Sequence, residues 1–223
     1  MTRNIWFLLG FALLSGGAAA AAESRAAGPA VAQATAAVDP KALAPRKEGD
    51  DMVMGLGTAP VTIIEYASLT CPHCAHFNET TFPQLKAQYI DKGLVKYIYR
   101  DFPLDRVALT ASEIARCAGP ERYFGFLDAI FRQQTSWTTG KDAAEVTENL
   151  KRLARLGGLS SQAADSCLAD KALQDSILAQ SLKGEKEFKV DSTPTLIING
   201  EKHTGALTIE ELTAVLTPLL KKS

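Results

Sequence analysis

Residues 105 to 190 carry only helical periodicity, yet the segments on either side of them read as β strands. A sheet in such a chain has to be assembled from two separated parts, with the helical stretch inserted between them. On the N-terminal side, Val61 to Ala67 is β-branched and mostly apolar, the pattern of a central strand. A helix follows over about Cys74 to Tyr89, with a break expected at Pro83, and Gly93 ends it. Leu94 to Arg100 reads as the next strand. On the C-terminal side, Thr195 to Ile198 is a strand and Asn199-Gly200 is the dipeptide of a type I′ hairpin turn, so Glu201 to Thr204 can pair back. Thr208 to Glu211 has the form of a capping box and opens a last helix through Leu212, Val215, Leu216 and Leu219. The predicted order is β-α-β, helical insertion, β-β-α, an α/β fold.

The junction between Val61–Ala67 and the helix after it carries Cys71-Pro72-His73-Cys74. Free backbone N–H groups and the macrodipole at a helix start favour an anion. A thiolate at Cys71 is stabilised there, which makes it the attacking or leaving sulfur. Pro72 suits the first helical position, and a protonated His73 adds positive charge beside Cys71. Cys74, one turn on and facing inward, is the resolving thiol. Stabilising the thiolate stabilises the reduced form, so the disulfide becomes the stronger oxidant. Glu65, in an otherwise apolar strand, reads either as a buried carboxyl that takes the proton of Cys74 or as a solvated edge residue.

Two other chemistries fit the cysteine pair less well. A tetrahedral zinc site draws its second pair of ligands from a separate segment, and no distant CxxC or HxxxH exists here. A purely structural Cys71–Cys74 disulfide closes too small a loop to constrain much. Metal ions and soluble cofactors are therefore not expected. No Gly-rich phosphate loop or Ser/His/Asp set is present, and His76 and His203 read as surface residues. A net charge of −1 gives no reason to expect nucleic acid as a partner. Phe124, Phe126, Phe131 and Trp137 read as core or a shallow apolar rim.

The N-terminus sets the compartment. Arg3 precedes the apolar run Ile5 to Leu14, which is too short to span a bilayer, and Ala18 to Ala22 offers cleavage sites. This is read as a signal peptide over residues 1–22, followed by a flexible Ala/Pro-rich leader over 23–51 with short helices around Ala30 to Val38. In an oxidising compartment an even count of four cysteines favours disulfides. Cys117 and Cys167 lie in the insertion and read as one structural disulfide, with two buried free thiols as the alternative.

Glu65-Tyr66, Cys71-Pro72-His73-Cys74, the helical insertion, Thr193-Pro194-Thr195 before a strand, and Asn199-Gly200 together resemble the DsbA family of periplasmic thiol oxidases. The resemblance covers about residues 52 to 220. It implies a thioredoxin-like domain built from 52–104 and 190–223, an inserted helical domain over 105–189, and a cis peptide bond before Pro194. It also implies that Thr193 and Pro194 lie against the cysteine pair and that substrate backbone pairs beside them. A second disulfide in the helical domain resembles one subgroup of the family. The implied function is donation of the Cys71–Cys74 disulfide to cysteine-containing exported proteins by a periplasmic monomer. Reoxidation by a DsbB-type, quinone-linked membrane oxidase is implied by the same resemblance. Thr193 departs from the apolar β-branched residue of the best-known oxidases. A disulfide isomerase or reductase served by a DsbD-type reductant stays open as an alternative, as does a non-catalytic periplasmic chaperone.

Overall fold

In the computed structural model, residues 46–48 and 51–221 are described, and all of them belong to one contiguous unit. The segments read as signal peptide and most of the leader, including its short helices, lie outside the described residues. Six strands form one sheet: β1 (Arg46–Glu48), β2 (Asp51–Met54), β3 (Val61–Ala67), β4 (Val95–Asp101), β5 (Thr195–Ile198) and β6 (Glu201–Thr204), in the order β1-β2-β4-β3-β5-β6. β3 is central, parallel to β4 and antiparallel to β5. From β3 onward the expected order β-α-β, insertion, β-β-α is the one observed. One difference lies at the leader's end, where residues 46–48 pair with β2 and 51 begins it, so the sheet starts before position 52.

The alternation of β3 sorts its side chains onto two faces. Val61, Ile63 and Ala67 enter the large core. Tyr66 joins Val190 and Ile197 in a smaller cluster on the opposite side, with Ile64 packed against it. Glu65 lies on the large-core face by the same alternation and is 2% exposed.

Helix α1 (Pro72–Thr80) begins directly after the β3 loop, and α2 (Phe82–Leu85) continues into a π-helical turn at Lys86–Ile90. The break falls at Thr81, before Pro83 rather than at it. Proline takes a first-turn position of α2, where its missing N–H leaves nothing unpaired. The insertion holds α3 (Arg106–Cys117), α4 (Tyr123–Arg132), α5 (Gln134–Thr138), α6 (Ala143–Leu156), α7 (Ser161–Leu168) and α8 (Lys171–Phe188). Asp105, Asp142, Ser160 and Asp170 cap α3, α6, α7 and α8 by accepting backbone N–H groups. Asn199 and Gly200 both have positive φ, as a type I′ turn requires. The capping box of Thr208 and Glu211 opens α9 (Ile209–Leu220).

A disulfide joins Cys117 at the end of α3 to Cys167 on α7 within the insertion, with Cα atoms 6.1 Å apart. Close packing and a buried polar network tie the insertion to the sheet. Gly184 of α8 lies so close to the Tyr66 ring that a Cβ there has no room. Arg116 of α3 donates to Asp101 at the end of β4 at 2.7 Å, with 3% and 0% of the two side chains exposed. It also donates to Gln180 of α8 at 2.7 Å, and Gln180 donates to Asp51 of β2 at 3.1 Å. Removing one partner of a buried pair leaves an uncompensated charge and costs about 3–5 kcal/mol. Arg116→Met is therefore expected to lower the unfolding free energy from urea titration by that amount, while Lys171→Met, at an exposed ion pair, changes it by less than about 1 kcal/mol.

Candidate active site

The loop after β3 is held at several points before the first cysteine. The Cys71 N–H donates to the Ser68 carbonyl at 3.1 Å, and the Thr70 hydroxyl donates to Asp105 at 2.7 Å. The Gln134 side-chain amide donates to the carbonyls of Leu69 at 2.9 Å and Cys71 at 3.1 Å. Cys71 is the N-cap of α1, with extended backbone and no side-chain cap bond, and Pro72 occupies the first turn. A cleft of about 420 Å³ opens beside Pro72, with Thr70, Asp105, Gln134, Thr135 and Val146 among its walls.

Both Cys71 and Cys74 carry free thiols, 5% and 0% exposed. Their acidities diverge. Cys71 is lowered to about 5, first by the hydrogen bond from the Cys74 thiol, with further help from the Thr193 side chain and the backbone N–H groups of Cys74 and His73, and against its own burial. Cys74 is pushed far above an ordinary thiol, first by burial, then by giving its proton to that hydrogen bond, and further by the charge of Glu65. One sulfur is poised to be an anion and the other to remain a thiol. The His73 ring is exposed, and what the residue contributes to Cys71 is its backbone N–H.

The Thr193–Pro194 peptide bond is cis. The Cys71 thiol donates to the Thr193 carbonyl at 3.4 Å. The Thr193 hydroxyl is buried and has no hydrogen-bond partner among the described residues while Cys71 is a thiol. A carbonyl can only accept, so on ionisation of Cys71 the hydroxyl is the Thr193 group able to donate to the sulfur.

Glu65 is raised to about 7, first by burial; the Tyr97 hydroxyl, which donates to it, pulls the other way, and the Cys71 charge adds to the rise. The solvated alternative for Glu65 is thereby excluded. Tyr97 and Gln134 were not singled out by the sequence. Tyr97 had a signal: its hydroxyl on a buried strand face needs a partner, and Glu65 is the acid of the adjacent strand. The structure thus gathers Glu65, Cys71, Cys74, Thr193 and Pro194, adds Tyr97 and Gln134, and leaves the His73 ring at the surface. Cys117 and Cys167 form their disulfide in the helical insertion, apart from this group. Among the described residues no group of three or more His, Cys, Asp or Glu is placed to hold a metal ion.

Known proteins are similar to this chain in sequence and fold. Residues 47–217 match the family model described as thioredoxin. The crystal structure of alpha-DsbA1 from Wolbachia pipientis is 33% identical with a TM-score of 0.73, covering 79% of this chain and 94% of that one. A protein of Rickettsia bellii named "Putative protein-disulfide oxidoreductase" is 33% identical over 78% of this chain. Disulfide bond formation protein D of Bacillus subtilis is 27% identical over 76% of this chain and 77% of its own length. The chain spans 56 to 66% of the length of the first Rickettsia relatives it matches.

Two pH dependences follow. Absorbance of the reduced protein at 240 nm is expected to show one thiolate, half formed near pH 5, that Cys71→Ser abolishes and Cys74→Ala moves upward by removing its main donor. Glu65 has a folded pKa above its unfolded one, so its contribution to stability is complete below pH 4.5 and is lost as pH rises through about 7. Glu65→Gln is therefore expected to gain stability relative to the parent between pH 5 and 8 in urea titrations, and a parallel pair of curves contradicts the assignment.

Proposed function

This chain belongs to the DsbA family of the thioredoxin superfamily, and on that premise we propose that it is a thiol–disulfide oxidoreductase that donates its Cys71–Cys74 disulfide to cysteine-containing exported proteins. The observation that carries the reading is the opposite displacement of the two thiol acidities, Cys71 down to about 5 and Cys74 up. At pH 7 a thiol held near 5 favours the reduced form by roughly 3 kcal/mol, or about 60 mV of added oxidising power.

The reaction runs in two exchanges. A substrate thiolate attacks the Cys71 sulfur, the Cys71–Cys74 bond breaks, and its electron pair goes to Cys74. Glu65, carrying a proton below about pH 7, supplies that proton to Cys74. A second substrate thiolate then attacks the substrate sulfur of the mixed disulfide and expels Cys71 as a stable thiolate. Substrate is oxidised by two electrons and the pair is reduced to the state seen here. His73 places its backbone N–H at the Cys71 sulfur, and Thr193 with Pro194 forms the opposite wall, beside which substrate backbone pairs.

The periplasm suits this role. Residues 1–22 have the pattern of a signal peptide, and the Cys117–Cys167 disulfide fits an oxidising compartment. Among the described residues no helix is long and apolar enough to cross a membrane. A DsbB-type membrane oxidase is the proposed reoxidant, and the protein acts as a monomer.

Stoichiometric mixing of the oxidised protein with a reduced two-cysteine peptide tests the reading. Peptide disulfide should form within the mixing experiment, and Cys71→Ala should abolish it; a protein found mostly reduced by thiol trapping in cells would favour the isomerase or reductase alternative. Glu65→Gln is expected to slow formation of the mixed disulfide from the oxidised protein, on the order of a hundredfold for loss of a positioned acid–base group. An unchanged rate of formation removes Glu65 from the mechanism.

A further inference from the structure

We infer that Gln134, a residue of the helical insertion, is a positioning residue that sets the ionisation of Cys71 through the backbone of residues 69–71. The inference rests on the reading of Cys71 as the attacking sulfur. Its basis is geometric. The Gln134 amide reaches two carbonyls that flank Thr70, Leu69 at 2.9 Å and Cys71 at 3.1 Å, so one NH₂ group bridges both sides of the turn that delivers the cysteine.

The Cys71 carbonyl has unusual weight in this loop. The next residue is Pro72, so the 71–72 peptide has no N–H. Its oxygen is the only hydrogen-bonding group by which that peptide plane can be held. The oxygen accepts the Ala75 N–H at 3.1 Å, the first bond of α1, and Gln134 supplies the second donor. The tilt of this one peptide decides how the Cys71 sulfur faces the N–H groups of His73 and Cys74.

Gln134 is half-buried at the wall of the cleft beside Pro72. Without its amide, water can enter from that cleft and satisfy both carbonyls. Water cannot hold them at a fixed spacing, because it is not attached to α5. Loss of the amide therefore costs little folding stability and alters the acidity of the sulfur. That separates positioning from simple structural support.

The test is Gln134→Met, which keeps length and volume and removes both donors. The reduced protein is titrated at 240 nm, and the oxidised protein is equilibrated with glutathione. The Cys71 midpoint should rise and the thiolate-to-thiol ratio at a given pH fall about three- to tenfold, the range for loss of one or two hydrogen bonds. The glutathione equilibrium should move by the same factor toward a weaker oxidant. Should Gln134→Met fail to fold, Gln134→Asn, which keeps the donors and shortens the reach, is held to the same criterion. An unchanged midpoint in the variant, beside a lowered midpoint in the parent, overturns the inference, whether or not the melting temperature falls. A parent midpoint at the value of a free cysteine overturns the reading of Cys71 and the inference with it.

Discussion

The hydrogen bonds that converge on one sulfur at the start of α1 are the interaction on which the rest of the site depends. Cys71 and Cys74 are the same residue type three positions apart, yet their acidities move in opposite directions. Position relative to the helix start accounts for the split. Cys71 stands before the first turn, where N–H groups have no carbonyl to bond and can turn to a sulfur. Cys74 is one turn on and fully buried, so ionising it means placing a charge in the core. It then becomes the donor that completes the stabilisation of its neighbour. Neither thiol has its acidity without the other.

Such an arrangement needs a fixed junction, and both parts of the fold contribute to it. The sheet supplies β3, which delivers Cys71, and β5, preceded by Thr193 and Pro194, which faces it. The helical insertion supplies Asp105 and Gln134, which hold the loop between them. The insertion is itself anchored to the sheet through Arg116 and Asp101, through Gln180, and through the close approach of Gly184 to Tyr66. The helical part therefore does more than cover the sheet: through the Gln134 side chain it reaches the backbone carbonyls of Leu69 and Cys71.

Much of this was legible in the residues because strong local rules coincided with tertiary demands. Val61–Ala67 is apolar because β3 is buried on both faces, and the Asn199-Gly200 turn and the Thr208–Glu211 box need no distant partner to form. Cys71-Pro72-His73-Cys74 was readable for the same reason, since proline at a helix start is a local preference. What escaped depends on contacts across the chain. Helix α5 has five residues and no amphipathic repeat to announce it, so Gln134 had no context. Residues 46–48 are polar and become strand only because β2 lies beside them. The resemblance to the DsbA family added Thr193 and Pro194, which composition and periodicity could not connect to a cysteine more than a hundred residues away.

Two buried carboxyls show how differently the fold treats charge. Asp101 is given Arg116 at 2.7 Å, so its charge is matched and belongs to the architecture. Glu65 lies on the neighbouring strand β3 and receives a tyrosine hydroxyl in its place. A hydroxyl can stabilise the anion in part, and burial more than offsets it, which leaves the carboxyl near 7. Had the strand brought a guanidinium there, Glu65 would be a permanent anion beside Cys74, unable to hold a proton and raising the cost of every thiolate nearby. Tyr97 keeps it able to change state. In the proposed exchange, a neutral donor at that position lets the carboxyl hold a proton near pH 7 and release it, with the Tyr97 hydroxyl stabilising in part the anion that remains.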